Sequence, residues 1–103
     1  MLQRLREEVV KTGRHIEVLR LVEAREPVGI MQLPNETAYP HHKVRYSLRV
    51  LQDEQLIAPT ANGAVTTDEV PAFLREVEAD VEDLRGRLET LRLTAGTGGK
   101  GNE

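Results

Sequence analysis

The sequence contains no cysteine and no tryptophan, and only three of its 103 residues are aromatic. Without cysteine the chain has no disulfide bond, no thiol nucleophile and no zinc site built on thiolates. Because aromatic side chains are so few, the hydrophobic core has to be built from Leu, Val and Ile. A chain of this length supports one domain with one modest core.

Long apolar runs are also missing, because even the longest stretch of apolar residues is far too short to cross a bilayer. The N-terminal stretch MLQRLREEVVKTGR is amphipathic and carries acidic residues, so it lacks the apolar centre of a signal peptide. We therefore expect a soluble cytoplasmic protein that has no membrane partner.

Acidic residues are absent from one segment, Tyr39 to Leu51, which reads YPHHKVRYSLRVL. The whole chain has 14 basic and 17 acidic residues, yet this segment gathers two His, one Lys and two Arg. The acidic excess lies later, because Asp68 to Asp83 holds seven acidic residues and a single base, Arg75. Local charge decides whether a surface attracts phosphate, so this segregation matters more than the net charge of −3.

Apolar residues at three- and four-residue steps predict a first helix over about 2–26. Gly13 interrupts it, and the pattern leaves open whether the helix breaks there, because Gly costs about 1 kcal/mol against Ala inside a helix. Pro27 ends the segment, since proline disfavours helical geometry at the residue before it. A short helix over about 30–36 is predicted next.

The basic segment is predicted to form a helix over about 40–55, with a tight turn at 37–39 before it and Pro40 at its first position. Two stripes of residues run along this helix. Positions 44, 48 and 51 are apolar and predicted to face the core, whereas positions 42, 45, 46 and 49 form the other stripe. The helix therefore has one core side and one basic side.

Beyond this helix, Asn62 and Gly63 predict a tight hairpin between short strands at 56–60 and 64–67. A long final helix follows, with apolar residues at alternating four- and three-residue steps, which is typical of a helix that meets a partner along a seam. The seam consists of Val70, Leu74, Val77, Val81, Leu84, Leu88 and Leu91. The glycine-rich tail over 94–103 is predicted to be disordered.

The stretch GIMQLPNETAYPHHKVRYSLRVLQDEQLIAPTANGAVTT resembles the DNA-binding part of winged helix-turn-helix transcriptional regulators, particularly small archaeal ones. The likeness spans about residues 14–68: Leu33 and Thr37 match the positioning helix, LQDEQLI matches the passage into the first wing strand, and ANGA matches the wing turn. Two features depart from the family pattern. Ala38 stands where a turn glycine is common, and the wing carries no Arg or Lys, so a basic minor-groove contact from it is not expected.

The resemblance implies a mainly α fold with a small two-stranded wing, in which a winged helix-turn-helix is followed by a long C-terminal coiled-coil-like helix. It also implies that the helix at 40–55 is a recognition helix for the major groove of DNA. Arg45 and Arg49 are then expected to contact bases, and Lys43 to contact phosphates. The candidate DNA-binding residues are Thr37, Tyr39, His41, His42, Lys43, Arg45, Tyr46 and Arg49.

The function expected from these patterns is that of a sequence-specific DNA-binding transcriptional regulator acting as a homodimer. Two recognition helices related by a twofold axis would read a palindromic site at a spacing of about 34 Å. The expected organisation is a winged helix-turn-helix domain with its N-terminal helix over 1–68, a dimerisation helix over 69–93 and the tail over 94–103. Whether the dimer helices run parallel or antiparallel stays open.

Other interpretations remain open beside this one. The winged helix can instead be a protein–protein adaptor module without specific DNA binding, which the acidic total and the uncharged wing favour. The basic face can be a merely solvated surface, and both tyrosines can be packing residues. We expect no enzyme activity and no cofactor, because no catalytic motif is visible, and no metal, because His41 and His42 are adjacent and point in different directions.

Overall fold

A computed structural model describes the backbone of residues 1–100 and the side chains of residues 1–92. The chain divides into two compact units, Met1–Val70 and the residues from Pro71 onward, and each unit is described by itself. Within the described residues the fold is mainly helical, with three α-helices and one two-stranded antiparallel sheet. This confirms the expectation of a mainly α protein with a small hairpin.

The first helix, α1 (Leu2–Arg25), is continuous through Gly13, so the helix does not break at the glycine. A Cβ atom at Gly13 would meet nothing within 4 Å, which places the glycine on an open surface. The two halves of α1 differ in burial. The first half is almost entirely exposed, whereas Val18, Leu19 and Val22 in the second half are fully buried.

The predicted short helix over 30–36 is replaced by a turn and a single 3₁₀ helix, Leu33–Glu36. The turn is closed by a hydrogen bond from the Leu33 amide to the Gly29 carbonyl, at 3.2 Å. Pro34 explains the difference, because its ring would clash with the carbonyl four residues earlier in an α-helix that began at residue 30. The following turn at 37–39 lies where it was predicted.

The second helix, α2 (His41–Asp53), is slightly shorter than predicted, and Pro40 is its N-cap residue with extended backbone rather than its first helical residue. The end of α2 is a Schellman motif around Gln55, whose φ is 63°. The Leu56 amide donates to the Leu51 carbonyl at 2.9 Å, and both side chains are buried. This closure turns the chain so that Leu56 enters the core.

The hairpin consists of strands β1 (Ile57–Thr60) and β2 (Gly63–Thr66), paired antiparallel with Thr60 opposite Gly63. Gly63 has a φ of +128°, and a Cβ atom there would lie 2.7 Å from the backbone of Val28. Val28 approaches this closely because it forms an isolated antiparallel bridge to Ala64, with two backbone hydrogen bonds of 3.1 and 2.8 Å. The segment after α1 is thereby joined to the hairpin.

The third helix, α3 (Val70–Lys100), begins with Pro71 in its first turn, as the sequence predicts. Its helical backbone continues past residue 93, the predicted end of the dimerisation helix. The predicted disorder of the tail over 94–103 stays a prediction, because the side chains from 93 onward and residues 101–103 lie outside the described part of the chain. No helix within the described residues combines the length and the apolar character that crossing a membrane requires.

Candidate nucleic-acid interface

The two sides of α2 are separated as the periodicity predicted. Val44, Leu48 and Leu51 are buried, between 0 and 4 % exposed, and they pack into the core of the first unit. The opposite side is open to solvent, and six of the eight candidate DNA-binding residues lie on the exposed surface of this helix. These six are His41, His42, Lys43, Arg45, Tyr46 and Arg49.

The cations on this face are not neutralised by neighbouring acids. Among the side chains that the structure describes, no carboxylate oxygen lies within 4.0 Å of Lys43, Arg45 or Arg49. Other arginines of the same unit do form ion pairs, such as Arg25 with Glu36 at 3.0 Å. The exposed face of α2 therefore keeps its positive charge available to an external anion.

Thr37 and Tyr39, the two candidates outside α2, are engaged within the protein. The Tyr39 hydroxyl donates to a carboxylate oxygen of Glu17 on α1 at 2.8 Å, and this bond raises the pKa of Tyr39. The Thr37 hydroxyl oxygen accepts from the Tyr39 amide at 3.1 Å. Both residues are half-buried, and their hydrogen bonds support the turn before α2.

A buried polar cluster connects α1 to α2, and its centre is Ser47, which is fully buried. The Arg14 Nε donates to the Ser47 Oγ at 3.1 Å, and the His15 Nδ1 lies 2.7 Å from the same oxygen. The ring of His15 also meets the ring of Tyr46, with centroids 5.7 Å apart and planes tilted by 51°. The cluster thus reaches from the buried side of α2 to its exposed face.

The cluster favours a neutral His15. Because Arg14 can only donate, the Ser47 hydroxyl accepts from it and has its own proton to give to the His15 Nδ1. Burial, followed by the charges of Arg14 and Lys11, lowers the pKa of His15 below its ordinary value of 6.5. A protonated His15 would place a second cation against the same hydroxyl group.

The Arg14–Ser47–His15 cluster was not predicted from the sequence, although the sequence indicates that Ser47 and Arg14 lie on buried helix faces. Ser47 lies three residues after Val44 and so shares the apolar stripe of α2, a position that indicates burial. Arg14 precedes Val18 by four residues on the buried stripe of α1. The pairing of the two could not be read from the sequence, because 33 positions separate them.

The hairpin presents no cationic side chain, since β1 and β2 and the turn between them contain neither Arg nor Lys. An acid lies beside it instead. A carboxylate oxygen of Glu26 accepts from the Thr66 amide at 2.7 Å and from the Thr66 hydroxyl at 2.8 Å. The positive surface of the first unit is therefore found on the helices and not on the hairpin.

The predicted seam of α3 changes in burial along its length. Val70 is only 2 % exposed and belongs to the core of the first unit, so this member of the predicted dimer interface is already covered in a single chain. Leu74 and Val77 are half-buried. The remaining members are between 50 and 65 % exposed, and they are Val81, Leu84, Leu88 and Leu91.

The charged residues between the exposed seam positions pair within their own helix. Arg85 meets Glu82 at 3.0 Å, and Arg87 meets Asp83 at 2.9 Å. Such exposed pairs add little stability, typically below about 1 kcal/mol. They leave the apolar side of the helix uncovered within the part of the chain that the structure describes.

The chain was also compared with known proteins. No protein-family model matches it, and no curated protein matches it.

Proposed function

We propose that the protein is a sequence-specific DNA-binding transcriptional regulator of the winged helix-turn-helix kind, with α2 as its recognition helix. The observation that carries the proposal is the exposed face of α2, where Lys43, Arg45 and Arg49 have no acidic neighbour within 4.0 Å among the described side chains. The opposite side of the same helix is packed into the core. An exposed, basic and firmly supported helix has the shape and the charge that the major groove of DNA accepts.

The roles of the basic residues follow from their chemistry. Arg45 and Arg49 can each hold guanine through two hydrogen bonds, which contribute about 1–3 kcal/mol of discrimination against a wrong base. Lys43 is a point charge that suits a phosphate, which supplies affinity and register rather than sequence choice. The ring of Tyr46 packs against the ring of His15, with centroids 5.7 Å apart, and Tyr46 is exposed beside the two arginines.

The proposed regulator acts as a homodimer in which the exposed part of the α3 seam packs against α3 of a second chain. Four leucine and valine side chains that are at least half exposed form this stripe. Full burial of such a side chain contributes about 1.5–3 kcal/mol, and covering the exposed part of these four, which are 50 to 65 % exposed, adds roughly half of that each. A twofold dimer presents two α2 helices to one DNA duplex, so the preferred site would be an inverted repeat.

The test is a selection from random duplex DNA with the purified protein, followed by affinity measurements on the enriched sequences. We expect an inverted repeat, and we expect Arg45→Ala and Arg49→Ala each to lose at least tenfold in affinity while circular dichroism shows an intact fold. Arg20→Ala is the matched control, because Arg20 is an exposed arginine on α1 that pairs with Glu23. Normal binding by both α2 variants would refute the role assigned to this helix.

One observation favours a second function, that of an adaptor module that binds another protein. The hairpin is uncharged, and the first half of α1 exposes apolar side chains, among them Leu2, Val9 and Val10 at 58 to 66 %. An adaptor would bind DNA weakly and without sequence preference, and would retain a defined protein partner. An absence of enrichment in the DNA selection, together with such a partner, would favour this function.

A further inference from the structure

A groove runs between the first half of α1 and the beginning of α2, within the first unit of the chain. Positions 6, 7, 8, 10, 11 and 14 of α1 line one wall. Lys43 of α2 forms part of the other wall. The same residue belongs to the exposed basic face, so the groove adjoins the proposed recognition surface.

The groove has more positive than negative side chains. Its cations are Arg6, Lys11, Arg14 and Lys43, and its carboxylates are Glu7 and Glu8. One of the carboxylates is already used, because Glu8 pairs with Lys11 at 3.2 Å.

Arg14 is the unusual member of this group, because it is only 6 % exposed. The one hydrogen bond of its side chain among the described residues runs from Nε to Ser47, at 3.1 Å. No carboxylate among the described side chains lies within 4.0 Å of it. A guanidinium group has five N–H donors, and a buried cation is costly unless it is paired.

Two of the groove cations also act on a neighbouring side chain. The pKa of His15 is lowered first by burial and then by the charges of Arg14 and Lys11. Lys11 therefore still lowers the pKa of His15, although it is paired with Glu8.

We propose that this groove binds a phosphate of the DNA backbone, held by Arg6, Lys11 and Arg14 of α1 together with Lys43 of α2. The inference rests on the proposed function and adds a second contact surface to it. A helix in the major groove lies between two sugar–phosphate strands, and DNA carries one negative charge per roughly 1.7 Å of its axis. We place the strand beside the beginning of α2 at the mouth of the groove, because Lys43 belongs to both surfaces and the guanidinium fork matches phosphate oxygens.

The experiment measures the DNA affinity of the full chain as a function of salt, on the selected duplex and on a scrambled one. The test variant is Arg6→Gln with Lys11→Gln, which removes two charges from the groove and leaves the buried Arg14 in place. The matched control is Arg4→Gln with Arg20→Gln, which removes two exposed charges from the same helix outside the groove.

We expect the groove variant to bind both duplexes more weakly, with its slope of log K against log salt reduced by about 0.9, the value for one lost phosphate contact. Its preference for the selected duplex should stay unchanged, and the control should keep the wild-type slope. Equal slopes for the groove variant and the control would overturn the inference.

The outcomes separate this inference from the proposed function. If the protein binds its selected duplex specifically and the groove variant behaves like the control, the regulator stands and the groove site is wrong. If binding shows no sequence preference but the groove variant lowers the slope, the groove site stands and the sequence-specific regulator is wrong. If the wild-type chain binds no DNA, both are wrong.

Discussion

Replacing Ser47 by Ala tests whether the buried cluster holds α2 against α1. The change removes a hydroxyl group that accepts from the Arg14 Nε at 3.1 Å and lies 2.7 Å from the His15 Nδ1. A hydrogen bond to a charged group contributes about 1.5–3 kcal/mol, and a donor left buried and unpaired costs about 1–3 kcal/mol. Ala is the better helix former, which returns about 0.5 kcal/mol. We therefore expect a net loss of about 2 kcal/mol in the free energy of unfolding.

A loss of this size is large for such a small unit. The first unit, Met1–Val70, should have a total stability of about 4–10 kcal/mol, at 0.05–0.15 kcal/mol per residue. The thermal midpoint should fall by roughly 8–16 °C, since about 1 kcal/mol corresponds to 4–8 °C in a domain of this size.

The assay is urea unfolding followed by circular dichroism, with Thr12→Ala as the control. Thr12 is an exposed hydroxyl residue on α1, and its replacement should change stability by no more than about 0.5 kcal/mol. If Ser47→Ala unfolds at the same urea concentration as the control, the cluster contributes no stability, and the reasoning from its hydrogen bonds is refuted.

Three further predictions concern acidity, two glycines and the α3 seam. The folded-state pKa of His15 lies below its unfolded value of 6.5, so the unfolded chain takes up the proton first, and stability should fall as the pH falls below about 6.5. The loss of unfolding free energy between pH 7 and 5 should be smaller in His15→Gln than in the wild type. Equal pH profiles of the two proteins in urea unfolding would contradict this. Gly63→Ala should destabilise by at least about 2 kcal/mol, because of the φ of +128° and a backbone contact at 2.7 Å, whereas Gly13→Ala should stabilise by about 1 kcal/mol. Leu84→Glu with Leu88→Glu should convert a dimer to a monomer in sedimentation experiments, and an unchanged mass would exclude this seam as the interface.

The buried side of α2 was predicted correctly because the spacing of its apolar residues indicates which side faces the core. Val44, Leu48 and Leu51 are spaced by four and three residues, so all three lie on the same side of the helix. The existence of the hairpin was equally accessible, since Asn62 and Gly63 are a strong turn signal. The two residues between the strands are Ala61 and Asn62, however, and of the predicted turn pair only Gly63 has a positive φ. Local signals of this kind depend only on residues near one another in the chain.

The missed features depend on groups that are distant in the sequence or on competition between weak effects. The contact between Arg14 and Ser47 spans 33 positions, and nothing in either local pattern specifies it. The continuity of α1 at Gly13 was left open rather than missed, because a cost of about 1 kcal/mol opposes the hydrogen bonding of a long helix; the helix is continuous there. Val70 fits the heptad pattern of α3, yet it is buried in the first unit. Apolar periodicity indicates that a helix side is covered, but not whether the same chain or a second chain covers it.

The separation of the two sides of α2 also bears on how far the exposed surface of this helix can change without loss of the fold. The residues that hold the helix, Val44, Ser47 and Leu48, are all buried, whereas positions 42, 45 and 49 are exposed. Substitutions at exposed positions usually change stability by less than about 0.5 kcal/mol. A library randomised at those three positions should therefore yield mostly folded proteins that differ in the chemistry of one helix face. Tyr46 is the exposed position to leave unchanged, because its ring contacts His15.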